Sequence, residues 1–167
     1  MIFFSINLLE SKFYFIFIIK AKNKNLNLKN LSFHQVETEL RYLKLKYGGK
    51  YHPIQNKRES TATKLAIIVP YRDREINLNL FLLHLHQFLN RQNAYYAIYL
   101  IEPMSHLKFN RALLINIGFI ESLKEDDYDC FIFHDVDMLP ESNLNIYECN
   151  REMPKQMAIA INTYSYS

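Results

Sequence analysis

Glycine is scarce in this chain. Only three glycines occur in 167 residues, and Gly118 alone lies beyond residue 49. That excludes a glycine-rich loop as the phosphate-binding device. Cysteine is limited to Cys130 and Cys149. Two cysteines fix no redox compartment, and a disulfide or a reduced buried pair is equally allowed. Charge of one sign is also lacking: 20 basic against 17 acidic residues leave a net +3. Such a balance implies no nucleic-acid partner. No apolar run approaches the roughly 20 residues that cross a bilayer. There is no internal repeat and no Ser-His-Asp or Cys-His arrangement for nucleophilic catalysis.

Aromatic and aliphatic residues are plentiful. The chain is 49% hydrophobic, with twelve Tyr and twelve Phe, which excludes a wholly disordered protein. Its length suits one domain with a real core. Residues 1–20 hold two apolar stretches interrupted by Glu10-Ser11-Lys12. Charges inside a span are costly, and no basic segment precedes Ile2 as a signal peptide would require. This segment reads as an imperfect membrane anchor, a non-native leader or a soluble structural piece. Residues 21–63 are rich in Asn and Lys and read as a stem or linker, with a weak helical pattern over 36–45. Asn30-Leu31-Ser32 is a glycosylation sequon, meaningful only in a secreted chain.

From Lys64 the pattern changes to that of a folded domain covering 64–167. Strands are expected at 65–69, 96–101, 131–133 and 157–161. A helix is expected over 75–90 with Ile76, Leu80, Leu83 and Phe88 as its apolar stripe and Leu85 and Leu89 beside it. A second is expected over 110–123, with Leu113, Ile117 and Ile120 on one side. Alternating strands and helices predict an α/β sheet with helices on its faces.

The chemistry gathers where strands end. Asp135 and Asp137 follow an apolar strand at i, i+2, so they leave on one side. Two close carboxylates repel unless a cation or shared proton relieves them. A divalent metal carrying a phosphorylated ligand is one relief; a solvated acidic turn is the plain alternative. Arg72 and Arg74 follow the first strand and can clamp phosphate oxygens or form surface ion pairs. Tyr71 can pack on a base or sugar. Arg111 can reach a ligand under Phe109, or Asn110 can simply cap a helix. In an open α/β sheet these positions converge on one edge. His134 should face away from Asp135, and His84 and His86 read as helix surface or satisfied packing.

These motifs resemble the beta-1,4-galactosyltransferase family, in the amino-terminal half of its catalytic domain. The likeness runs through Gly48-Gly49-Lys50-Tyr51 with Pro53, then residues 65–74, Phe109-Asn110-Arg111-Ala112, Ile115 to Phe119, 130–140 and Cys149. It implies a GT-A type, Rossmann-like nucleotide-sugar-binding fold. It implies inverting transfer of galactose from UDP-galactose, with Mn²⁺, to N-acetylglucosamine or glucose of a glycoprotein or glycolipid. UDP-N-acetylgalactosamine is the alternative donor. By motif position, Pro70, Tyr71, Arg72, Arg74, Phe109, Arg111, Asp135 and Val136 are expected to face UDP, and Asp137 to bind the metal. A Cys130–Cys149 disulfide and a Golgi lumenal, type II membrane setting are implied as well.

The departures carry expectations too. Asn56 stands where the family has a cysteine, and Asn162-Thr163 replace an Asp-Lys pair. The sequence ends at Ser167 without the family's Trp/Gly-rich acidic segment, which supplies the catalytic base, or its downstream metal-binding histidine. A truncated domain with impaired transfer is therefore expected. The alternatives are a noncatalytic UDP-binding or interaction module and a nonfunctional fragment. The catalytic residue stays unassigned.

Overall fold

The computed structural model describes residues 7–8, 11–15, 32, 34, 35, 38, 50–51, 63–92, 94–150 and 152–158. Its elements are β1 (Asn7–Leu8), β2 (Ser11–Phe15), β3 (Lys50–Tyr51), β4 (Lys64–Pro70), α1 (Glu75–Arg91), β5 (Tyr95–Pro103), α2 (Arg111–Glu125) and β6 (Cys130–Phe133). Strand order is β1-β2-β5-β4-β6, with β3 also on β5. The centre is parallel: Ile67 of β4 is opposite Ile98 of β5 and Ile132 of β6. β2 and β3 run antiparallel to β5.

β4 is buried along 65–70 because both sheet faces are covered. Its side chains alternate between two cores. Leu65, Ile67 and Val69 join Phe81, Leu82, Leu85, Phe88 and Leu89 of α1. Ala66 and Ile68 join Tyr99 and Ile101 of β5 with Leu114 of α2. Each such large side chain contributes about 1.5–3 kcal/mol when fully buried. Two helices therefore cover opposite faces, an α/β/α layering.

Both expected helices are present, but their inner faces differ from expectation. In α1, Leu83, Leu85, Phe88 and Leu89 are buried as expected, but Ile76 is 69% exposed and Leu78, Phe81 and Leu82 are buried as well. In α2, Leu113 and Ile120 are each 53% exposed, and Leu114, Ile115, Gly118 and Ser122 face inward. Gly118 explains that choice. A Cβ there would stand 2.5 Å from Ile68 Cγ2 and 2.8 Å from Ile101 Cγ1. The helix rests on the sheet through its small residue, which turns the bulky ones outward. Asn110 caps α2, its side chain accepting a bond from the Leu113 amide at 3.1 Å.

Of the fourth expected strand, Met157 and Ala158 are irregular and 159–161 lie outside the described residues. Most of 1–63 lies outside them as well. His34, Gln35 and Thr38 are helical within the weak pattern over 36–45 and its approach. No helix among the described residues is long and apolar enough to cross a membrane.

Candidate functional site

Parallel pairing brings the carboxyl ends of β4 and β6 to the edge where α2 begins. Pro70 ends β4 opposite Ile101, and Phe133 ends β6 opposite Ile68. The chain leaves β4 through Tyr71, Arg72, Asp73 and Arg74 before α1 starts. Asp73 has φ 48°, in the left-handed region that Asp tolerates better than most residues. The bend sends the two arginines in different directions. The Arg72 guanidinium donates to the carbonyls of Leu107 at 2.7 Å and Met104 at 3.5 Å. It also lies over the Phe109 ring, 5.7 Å from the centroid.

Arg74 instead crosses to the turn after β6, where its Nη1 donates to Asp137 Oδ2 at 2.9 Å. Arg111, first residue of α2, grips Asp135 with two bonds, Nε to Oδ1 at 2.7 Å and Nη2 to Oδ2 at 3.2 Å. Both ion pairs are about half exposed. Two ion pairs and the carbonyl-bound Arg72 thus follow the carboxyl ends of the parallel strands. An open depression of about 140 Å³ is lined by Arg72, Asp73, Glu102, Pro103, Met104 and Ser105.

The remaining expected residues lie around these groups. Pro70 is buried at the end of β4. Tyr71 packs against the α1 core, and burial raises its phenol above the ordinary value. Val136, expected to face UDP, is instead buried in the same core, 6% exposed. Phe109 is 45% exposed, with the Arg72 guanidinium over its ring.

His134 does face away from Asp135. Its Nδ1 lies 2.9 Å from the Asp135 carbonyl and its Nε2 lies 2.7 Å from the Tyr147 hydroxyl. A carbonyl only accepts, so Nδ1 carries the proton and Nε2 accepts from Tyr147. Burial lowers its pKa below the ordinary value, against the backbone bond and charge of Asp135. Tyr147 is a residue the sequence reading missed; its amide also donates to Gln92 Oε1, just past the end of α1, at 3.0 Å. Only the Tyr-rich composition hinted at it. Cys130 and Cys149 form a disulfide with Cα atoms 5.5 Å apart, closing the segment that carries both aspartates. His84 donates to the Pro140 carbonyl at 2.7 Å, and buried His86 meets the Tyr96 hydroxyl.

A divalent ion such as Mn²⁺ needs hard oxygen donors. Asp137 offers one such carboxylate, the one that Arg74 holds here. Among the described residues no cluster of three His, Cys, Asp or Glu could hold an ion unaided.

An open sheet with arginines and paired acids at its carboxyl edge defines an α/β domain with a charged rim. Comparison with known proteins makes this specific. The family described as the N-terminal region of glycosyl transferase group 7 matches residues 14–150. Beta-1,4-galactosyltransferase 4 of Cricetulus griseus is 45% identical over 119 residues, covering 71% of this chain and 33% of the relative. The Homo sapiens protein of that name is 47% identical over 118 residues, with coverage of 71% and 33%. Beta-1,4-galactosyltransferase 3 of Bos taurus is 45% identical over 120 residues, with coverage of 72% and 30%. A solved Drosophila beta-1,4-galactosyltransferase 7, in complex with manganese, UDP-Gal and xylobiose, is 36% identical at TM-score 0.49 and covers 55% of this chain and 37% of that one. The chain belongs to the beta-1,4-galactosyltransferase family of glycosyltransferase enzymes. It spans about a third of the length of the curated relatives it matches.

Proposed function

We propose that this edge is the donor site of an inverting hexosyltransferase that moves galactose from UDP-galactose to N-acetylglucosamine or glucose of a glycoconjugate. The observation that carries the reading is the setting of Arg72, Arg74 and Arg111 with Asp135 and Asp137 past the carboxyl ends of the parallel strands. UDP-N-acetylgalactosamine is the alternative donor. Pro70 and Tyr71 form the floor under the nucleotide, and Phe109 covers it. The arginines hold the diphosphate and stabilise the charge that develops on it as the acceptor alcohol attacks the anomeric carbon. When bound at Asp137, Mn²⁺ would supply further neutralisation of the leaving diphosphate. Family membership favours a Golgi lumenal setting with a type II membrane anchor, the transferase domain over 64–167 taking β2 and β3 into its sheet as well.

A second reading is UDP binding without transfer. It is favoured by the pairing of both aspartates, which leaves neither free to act as a general base. Calorimetric titration of the full chain with UDP, with and without Mn²⁺, tests the donor site. Arg111→Ala removes a bidentate charged contact and should weaken binding roughly 10- to 100-fold. A folded chain that ignores UDP under both conditions sinks the proposal. Sugar transfer to an N-acetylglucosamine acceptor separates the first reading from the second.

A further inference from the structure

The two ion pairs at the site are built differently. Arg111 and Asp135 use two nitrogens and two oxygens, at 2.7 and 3.2 Å. Arg74 and Asp137 use one of each, at 2.9 Å. Their side chains are 56% and 46% exposed. A single, half-exposed contact of this kind contributes at most about 1 kcal/mol. It is easily given up to stronger partners. The bidentate pair is fixed more firmly, and it orients the start of α2.

We infer that Arg74 is an exchangeable counter-cation: it neutralises Asp137 until a divalent cation takes that carboxylate, and the released guanidinium then joins a nucleoside diphosphate. This rests on reading the edge as a nucleotide site. The exchange couples the two ligands through one pair of side chains. While Arg74 holds Asp137, a diphosphate meets only Arg72 and Arg111, both already engaged with carbonyls or a carboxylate. A cation on Asp137 removes the competitor and frees one more guanidinium, so each ligand raises affinity for the other. Arg74 is then a positioning residue whose direction depends on what Asp137 holds.

A double-mutant cycle in UDP binding isolates this coupling. The full chain, Asp137→Asn, Arg74→Gln and the double variant are titrated with UDP by calorimetry in chelator, then again with Mn²⁺. Both side chains are substantially exposed, and Arg74 makes no side-chain cap to α1, so the fold should persist; circular dichroism checks it. Asp137→Asn should bind metal-free UDP roughly three- to tenfold tighter than the unaltered chain, by releasing Arg74. In the Arg74→Gln background the same change should bring no gain. Mn²⁺ should improve UDP affinity of the unaltered chain and not that of Asp137→Asn.

A gain that survives Arg74→Gln would reflect only the loss of a negative charge and overturns the exchange. No gain, in a chain that binds UDP, overturns it as well and leaves the donor-site reading intact. Failure of all four proteins to bind UDP, with Mn²⁺ present, removes the donor site and the exchange together.

Discussion

Replacing Gly118 by alanine sets two effects against each other, and the geometry decides between them. In an open helix the change is favourable, because glycine costs about 0.8–1.0 kcal/mol relative to alanine. Here the added methyl carbon would lie 2.5 Å from Ile68 Cγ2, 2.8 Å from Ile101 Cγ1 and 3.1 Å from Ile101 Cδ1. The first two atoms sit on β-branched carbons close to the backbone of central strands, so they cannot swing aside as a flexible chain end would. Either α2 lifts or β4 and β5 distort. Overpacking of this kind costs about 1–3 kcal/mol. Subtracting the propensity gain leaves a net loss of up to about 2 kcal/mol.

Urea denaturation of the full chain, followed by circular dichroism, reads this as a lower midpoint at unchanged slope. Ile68→Ala removes the nearest obstacle, so the pair of substitutions should destabilise less than the sum of the two. That positive coupling belongs to the contact and not to helix propensity. A second consequence reaches the site. Arg111 begins the same helix, so lifting α2 pulls on its bidentate grip of Asp135. UDP affinity should fall even though residue 118 touches no ligand. A more stable Gly118→Ala protein would refute the argument, since propensity would then have won and the close approach would be of no consequence.

Two further outcomes follow from the core behind the site. His86 is wholly buried with Nε2 lacking a hydrogen-bond partner, and burial holds its pKa well below the ordinary value; burial lowers His134 as well. The unfolded chain takes up these protons below about pH 6.5 and the folded chain resists them, so stability is full above that pH and lost as pH falls. The decline, at most about 1.4 kcal/mol per pH unit for one histidine kept neutral by folding, should lessen in His86→Leu; urea midpoints that stay level between roughly pH 5.5 and 7 would count against it. Reducing the Cys130–Cys149 bond, which spans 19 positions, should cost about 3 kcal/mol by loop entropy and weaken UDP binding by loosening the segment with Asp135 and Asp137. Parallel titrations with and without reductant measure both, and equal midpoints would show that the disulfide constrains nothing.

The central strands were legible because burial on two faces writes a continuous apolar run. Residues 65–69 show it, and the structure extends that strand only to Lys64 and Pro70. Proline here ends the ladder without preventing it. Helix positions were legible too, but helix faces were not. The reading sought the largest apolar residues, whereas α2 docks through Gly118 and Ser122, both fully inside. Close approach is a property of the pair of surfaces, and one surface was Ile68 and Ile101, far away in sequence. α1 fails differently: nine of its residues are buried, so no narrow stripe stands out. The antiparallel pairing of Ser11–Phe15 with β5 was equally invisible, since its partner lies some ninety positions on.

The site divides along the same line. Strand-end chemistry is local, so Arg72, Arg74, Arg111, Asp135 and Asp137 could be named from spacing and from what precedes them. Their partners could not. Arg74 reaches across 63 positions to Asp137, and Arg111 across 24 to Asp135. Either arginine might equally have been matched with either acid from charge alone. The choice is made by Asp73, whose left-handed backbone separates the directions of Arg72 and Arg74. It is made again by Asn110, whose cap fixes where α2 begins and so where Arg111 stands. Both determinants are backbone events at small polar residues. They explain why the same five charges form one bidentate and one single-bonded pair, and hence why only Asp137 is placed to change partners.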